Sequence, residues 1–147
     1  MPLETQPHRV SRRTVRVEWG DCDAAGIVYF PRYFAWFDAS TSAAFVSVGF
    51  SKHELIERYG IVGMPVRDVR ANFSIPSTFE DELVIETRIS EWGRTSFTVQ
   101  HRLFRQADLT AVAVEGREVR VWVVRDPADA RRLRGAPIPL EVRERFL

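Results

Sequence analysis

EWGDCDAAGIVYFPRYFAWFDASTSAAFVSV, residues 18–48, decides the fold. Its first part sets two carboxylates, Asp21 and Asp23, in a short polar loop, and Ala24-Ala25-Gly26 follows as a tight turn of small residues. From Pro31 onward nothing breaks a helix until Gly49, and proline suits a first helical turn because its missing N–H would have no partner there. Phe30, Phe34, Phe37, Thr41, Phe45 and Val48 recur at three and four residues and predict one buried face. Trp36, Ala39, Ala43 and Val46 lie on other faces, so the helix reads as apolar nearly all round and buried. The free N–H groups of its first turn can hold an oxygen.

Working outward, Thr14–Trp19 alternates, with Val15, Val17 and Trp19 on one face of a predicted strand. Residues 1–10 read as a loose arm. Beyond the long helix, Gly49 is a C-cap, and Ser51 with Glu54 forms a capping box for a shorter helix to about Tyr59. Gly60, Gly63 and Pro65 mark turns. Strand-like stretches follow at roughly 65–75, 82–91, 94–106 and 111–125, with hairpins at Trp92-Gly93-Arg94 and Ala107-Asp108-Leu109. Val119, Val121 and Val123 read as one face of the last strand, against Arg120, Trp122 and Val124. After Asp126-Pro127 the chain reads as irregular, with a short terminal helix from Pro139. The whole is α+β, a single domain over 1–147, with one long apolar helix available to cover an antiparallel sheet.

The chain has 147 residues, enough for one real core, and its 21 basic and 20 acidic side chains leave a net charge of +1. That balance does not argue for nucleic acid or an anionic membrane as the main partner, and neither is expected. Cys22 is the single cysteine, so an intrachain disulfide is excluded. No apolar run approaches the ~20 residues that span a bilayer, and a cytoplasmic location is expected. His8, His53 and His101 show no metal-ligand spacing, and no metal is assigned. His101 alternates with core positions and reads as a packed histidine.

Gly20 to Tyr33, G-D-C-D-x-A-G-I-V-Y-F-P-x-Y, resembles the signature of hot-dog-fold acyl-CoA thioesterases of the 4-hydroxybenzoyl-CoA type. The likeness continues through Trp36-Phe37-Asp38-Ala39, Gly60–Pro65, Ile85-Glu86-Thr87, Glu91-Trp92 and Ser96-Phe97. It implies a hot-dog fold, an antiparallel sheet wrapped round one long central helix, in a homo-oligomer, a dimer or dimer of dimers with sites between subunits. It implies hydrolysis of an aromatic acyl-CoA, 4-hydroxybenzoyl-CoA first, without a cofactor. The alternatives are a short-chain aliphatic acyl-CoA thioesterase and a non-catalytic acyl-CoA-binding protein on the same fold.

On residues alone, Asp23 is either a turn residue or a catalytic carboxylate; the resemblance favours catalysis, as nucleophile or general base. It also implies the Phe30 N–H as donor to the oxyanion. Asp21 reads as structural, closing the loop as an Asx turn. Cys22 is rejected as a nucleophile because its two acidic neighbours oppose a thiolate. Gly26 serves positive φ or close backbone approach, and Tyr29 can line the substrate pocket. Asp38 lies eight residues beyond Phe30, about 12 Å along a helix; it either pairs with a cation or, as the resemblance implies, binds a polar ring substituent. Met64 stands where the family has a threonine near the aryl pocket. Arg94 retains one of three basic residues that relatives use for the CoA nucleotide. Arg131 and Arg132, with Arg134 or Arg125, are candidates to supply the missing charge.

Overall fold

The computed structural model describes residues 9–147. Most of the arm expected over residues 1–10 lies outside them; Arg9 and Val10 lead directly into the first strand. Five antiparallel strands form the main sheet: β1 Ser11–Arg16, β2 Val66–Phe73, β3 Glu82–Trp92, β4 Ser96–Arg105 and β5 Asp108–Val121. Their spatial order is β1-β3-β4-β5-β2. The long helix α1, Pro31–Ser47, crosses this sheet, and α2, Lys52–Tyr59, follows it. Pro31 stands at the start of α1 as expected, and Gly49 leaves it with φ +95. The Ser51 hydroxyl accepts the Glu54 N–H at 3.1 Å, and Gly60 ends α2 in the left-handed conformation. A terminal helix α3, Leu140–Glu144, starts after Pro139.

Several expectations need correction. The first strand is Ser11–Arg16, and Trp19 beyond it is 75% exposed; the chain turns into a single 3₁₀ turn at Trp19–Asp21 before the alternation is complete. The stretch read as irregular after Pro127 contains β7, Leu133–Gly135, which pairs with β6, Val123–Arg125. The apparent strand 111–125 is thus divided at Trp122, whose N–H turns aside to the Thr95 carbonyl at 2.8 Å. The helix α1 is buried on one side only. Tyr33, Phe37, Ser40, Thr41, Ala44 and Phe45 face the sheet, while Phe30 and Val46 are more than half exposed.

Two apolar clusters fill the space under α1. One holds Val17, Val28, Tyr33, Phe37, Leu83, Ile85 and Leu103; the other holds Phe45, Phe50, Leu55, Ile89, Val99, Trp122 and Phe146. Between them runs a polar layer. On β3 the inward sequence is Ile85, Thr87, Ile89, and on β4 it is Leu103, His101, Val99; on α1 Thr41 stands between Phe37 and Phe45. Thr87, His101 and Gly116 are directly opposed across β3, β4 and β5. The Phe37 ring stacks on His101, with centroids 4.7 Å apart and planes within 9°. Gly116 makes room for it, since a Cβ there would lie 2.5 Å from a Phe37 ring carbon. His101 is therefore the packed core histidine expected.

The sequence reading left open which face of β5 meets α1: it is the face of Glu118, Arg120 and Trp122, and Val119 and Val123 are buried as well. Burying two charged side chains is costly unless they are paired, and here they are paired with each other at 2.6 Å.

Candidate active site

Residues 22–28 form a miniature hairpin. Cys22 pairs with Val28, and the Asp23 N–H donates to the Ile27 carbonyl at 3.0 Å. Its tip closes when the Gly26 N–H donates to the Asp23 carbonyl at 3.0 Å. Asp23 Oδ1 accepts the Ala25 N–H at 2.8 Å, an Asx turn that fixes the side chain. The Asp23 side chain is exposed, and its Oδ2 has no partner among the described residues. Gly26 has φ +80 with nothing within 4 Å of where a Cβ would stand, so conformation and not close packing within the chain requires glycine here. Asp21 is structural by a different bond from an Asx turn: its Oδ2 reaches back to the Glu18 N–H at 2.8 Å. Val28 fastens the hairpin to the body by donating its N–H to the Ser77 carbonyl at 2.9 Å.

The helix entrance follows at once. The Tyr29 N–H goes to the Asp21 carbonyl, the Arg32 N–H to Tyr29, and the Tyr33 N–H to Phe30. The Phe30 N–H makes no hydrogen bond among the described residues. The helix thus presents one unclaimed donor at its positive end, a few residues from a fixed carboxylate. An apolar groove of about 210 Å³ opens beside it, lined by Ile27, Phe30, Tyr33, Phe73 and Ile75. Tyr29 is half exposed at its edge, with its ring edge-on to Phe30.

Asp38 and Met64 come together elsewhere on the chain. They line a second cavity, of about 170 Å³, with Thr41, Ser42, Lys52 and Arg120. Asp38 is in fact salt-bridged: Arg120 Nη2 donates to its Oδ1 at 2.7 Å. Arg120 also donates from Nη1 to the Met64 carbonyl at 3.0 Å. Sequence reasoning missed Arg120 and Glu118; Glu118-x-Arg120 next to an inward Gly116 was the available signal. Within one chain the structure does not bring Asp38 to Asp23.

Residues 17–146 match the model of the thioesterase-like superfamily. The chain belongs to the thioesterase-like superfamily. It is 38% identical over 130 residues to a 4-hydroxybenzoyl-CoA thioesterase of Pseudomonas sp. strain CBS-3, covering 86% of this chain and 89% of that one. The solved structure of the enzyme from that strain superposes with a TM-score of 0.85 at 34% identity, over 93% of this chain and 99% of the other. A gentisyl-coenzyme A thioesterase gives 0.76 at 34% identity, over 92% and 98%. These are hot-dog proteins, and the sheet-and-helix arrangement described above is that fold.

For a thioesterase the remaining residues fall as follows. Arg94 is exposed in the β3–β4 turn, and its carbonyl accepts the Ile138 N–H at 3.0 Å. Arg131 and Arg132 are exposed in the β6–β7 loop, where Arg131 lies 3.5 Å from Asp129. The β6–β7 hairpin packs on the β3–β4 turn, with Gly135 against Thr95. Among the described residues no group of three or more His, Cys, Asp or Glu is placed to hold a metal ion. No helix among them is long and apolar enough to cross a membrane.

The strongest electrostatic perturbation is at Glu118. Burial alone pushes its carboxyl up. The hydrogen bond from His101 at 2.7 Å, the Arg120 charge and the Thr41 hydroxyl at 2.6 Å outweigh that and hold it down at about 2.

Proposed function

We propose that this thioesterase hydrolyses an aromatic acyl-CoA, with 4-hydroxybenzoyl-CoA as the first candidate substrate, giving the free acid and CoA. The observation that carries this is a turn-fixed, exposed Asp23 carboxylate just ahead of an unclaimed Phe30 N–H. Thioester hydrolysis needs attack on the carbonyl carbon and a place for negative charge on its oxygen. Asp23 supplies the first, as nucleophile through an anhydride or as general base on water. The Phe30 N–H supplies the second: a backbone donor at a helix start needs no charged side chain and little reorganisation. Relatives that act on 4-hydroxybenzoyl-CoA and gentisyl-CoA support an aromatic acyl group. A solved aspartate-to-asparagine mutant of the former, in complex with its substrate, fits a reaction that needs a carboxylate.

The reading includes a homo-oligomer. Asp38 meets a polar substituent of the ring, and because it stands apart from Asp23 within one chain, a second copy brings it to the site. The exposed aromatics around the helix entrance, Trp19, Phe30 and Phe73, suit burial in such an assembly. Arg94, Arg131 and Arg132 offer positive charge to the CoA phosphates.

The test is steady-state hydrolysis of 4-hydroxybenzoyl-, benzoyl-, phenylacetyl- and butyryl-CoA by the wild type and Asp23→Asn. Aryl preference that vanishes with the carboxylate supports the reading, and butyryl-CoA in the lead would replace it. Single turnover in heavy-oxygen water then separates the two roles of Asp23: label entering the enzyme carboxylate first means the anhydride route.

A further inference from the structure

We propose that Arg120 is a specificity-determining positioning residue, which fixes Asp38 so that the enzyme discriminates a 4-hydroxylated ring from an unsubstituted one. This rests on the proposed meeting of Asp38 with the ring substituent.

The argument starts from an asymmetry of burial. The Arg120 side chain is 8% exposed, while its partner Asp38 is 65% exposed. A carboxylate on an open helix face samples several rotamers, and an ordinary surface pair hardly restrains it because both partners are mobile. Here one partner is already anchored. Glu118 Oε2 grips the same Nη2 at 2.6 Å, and the Met64 carbonyl takes Nη1 at 3.0 Å. Glu118 is in turn held by Thr41 and His101. A chain of bonds thus runs from the core to Asp38.

The guanidinium has given up something for this position: its Nε is buried and has no partner. The fork is spent on the two walls of the cavity, α1 through Asp38 and the 63–65 segment through Met64. With Oδ1 fixed on Arg120, the exposed carboxylate keeps Oδ2 as an acceptor in a set direction. A ring hydroxyl can donate to it and gain a charge-assisted bond. A benzoyl ring has nothing to donate. Arg120 therefore acts on the ratio between the two substrates more than on the rate with either.

The experiment measures kcat/KM on 4-hydroxybenzoyl-CoA and benzoyl-CoA for the wild type, Asp38→Ala, Arg120→Lys and the double variant. Lysine keeps the charge but lacks the fork. We expect Arg120→Lys to lower the 4-hydroxybenzoyl to benzoyl ratio about tenfold, the worth of roughly one charge-assisted bond, with benzoyl-CoA little changed. In the Asp38→Ala background Arg120→Lys should leave the ratio where it is. Equal losses on both substrates would make Arg120 a structural residue and overturn the proposal, while a ratio lost in Asp38→Ala would leave the reading of Asp38 standing. An unchanged ratio in Asp38→Ala itself would remove that reading and the proposal with it. Should Arg120→Lys not fold, the charge-balanced pair Arg120→Gln with Glu118→Gln replaces it and is judged by the same ratio.

Discussion

In the proposed reading Asp23 does two things with one carboxylate, and an amide substitution separates them. Asn keeps the oxygen that accepts the Ala25 N–H, so the turn and the melting temperature of Asp23→Asn should match the wild type. It removes the charge, so kcat should fall by about 10²–10⁴-fold with KM little changed. A variant that melts like the wild type and turns over at the same rate would end the proposed role. Cys22 gives the complementary test. Its half-buried Sγ makes among the described residues one hydrogen bond, a long one of 3.9 Å to the Glu18 carbonyl, so Cys22→Ser should retain near wild-type kcat; abolished turnover in the folded variant would restore a thiol mechanism. Both residues were legible in the chain because the chemistry that places them is local. An Asx turn and a proline-started helix are written in adjacent letters. The link from Arg120 to Asp38 was not legible, because the two lie 82 positions apart and no spacing rule connects them; only the Glu118-x-Arg120 pair was visible in the strand. Asp38 could therefore be named, and pairing with a cation foreseen as one of two states, while the identity of that cation could not.

Among elements, the contact between α1 and β5 depends on one missing methyl group. A Cβ on Gly116 would meet Phe37 at 2.5 Å, and Phe37 is already stacked on His101. Overpacking of this kind costs about 1–3 kcal/mol, so Gly116→Ala should lower the unfolding free energy read from urea titration by that much and shift α1 outward. A variant as stable as the wild type would mean that the ring has room to swing. Loss of the cap in Ser51→Ala should cost about 1 kcal/mol, read in the same titration, with kcat on the best substrate preserved. The elements themselves were readable from helix stops, caps and alternation. The phase of β5 was not. Valines at 119, 121 and 123 invite an inward reading, and Glu118 and Arg120 an outward one, since charge is seldom buried. The arrangement is stable only because Thr41, His101 and Arg120 converge on Glu118 from α1, β4 and β5. That convergence is tertiary and leaves no mark in a single strand. The short β6–β7 pair escaped for a related reason: three residues of alternation carry little signal.

Across the whole molecule, the polar layer joins the two halves of the core, and it makes the fold sensitive to acid. Glu118 ionises at about 2 in the folded protein, against an ordinary value of 4.5. A carboxyl whose folded value is depressed contributes stability that is fully present above the unfolded value. That contribution is lost as pH falls through the window toward the folded value. The window here runs from about 4.5 down to about 2, and the full contribution is on the order of 3 kcal/mol. Urea midpoints of the wild type should hold near neutrality and fall steeply below about pH 4.5. Glu118→Gln should start lower, because its amide cannot pair with Arg120 as a carboxylate does, and should lose less between pH 4.5 and the acid limit. Parallel curves for the two proteins would place the acid sensitivity in other carboxylates. Curves that converge toward low pH would locate it in the layer that ties α1 to the sheet, the same chain of bonds that ends at Asp38. The two halves of the core and one wall of the cavity at Asp38 would then share a single titrating anchor.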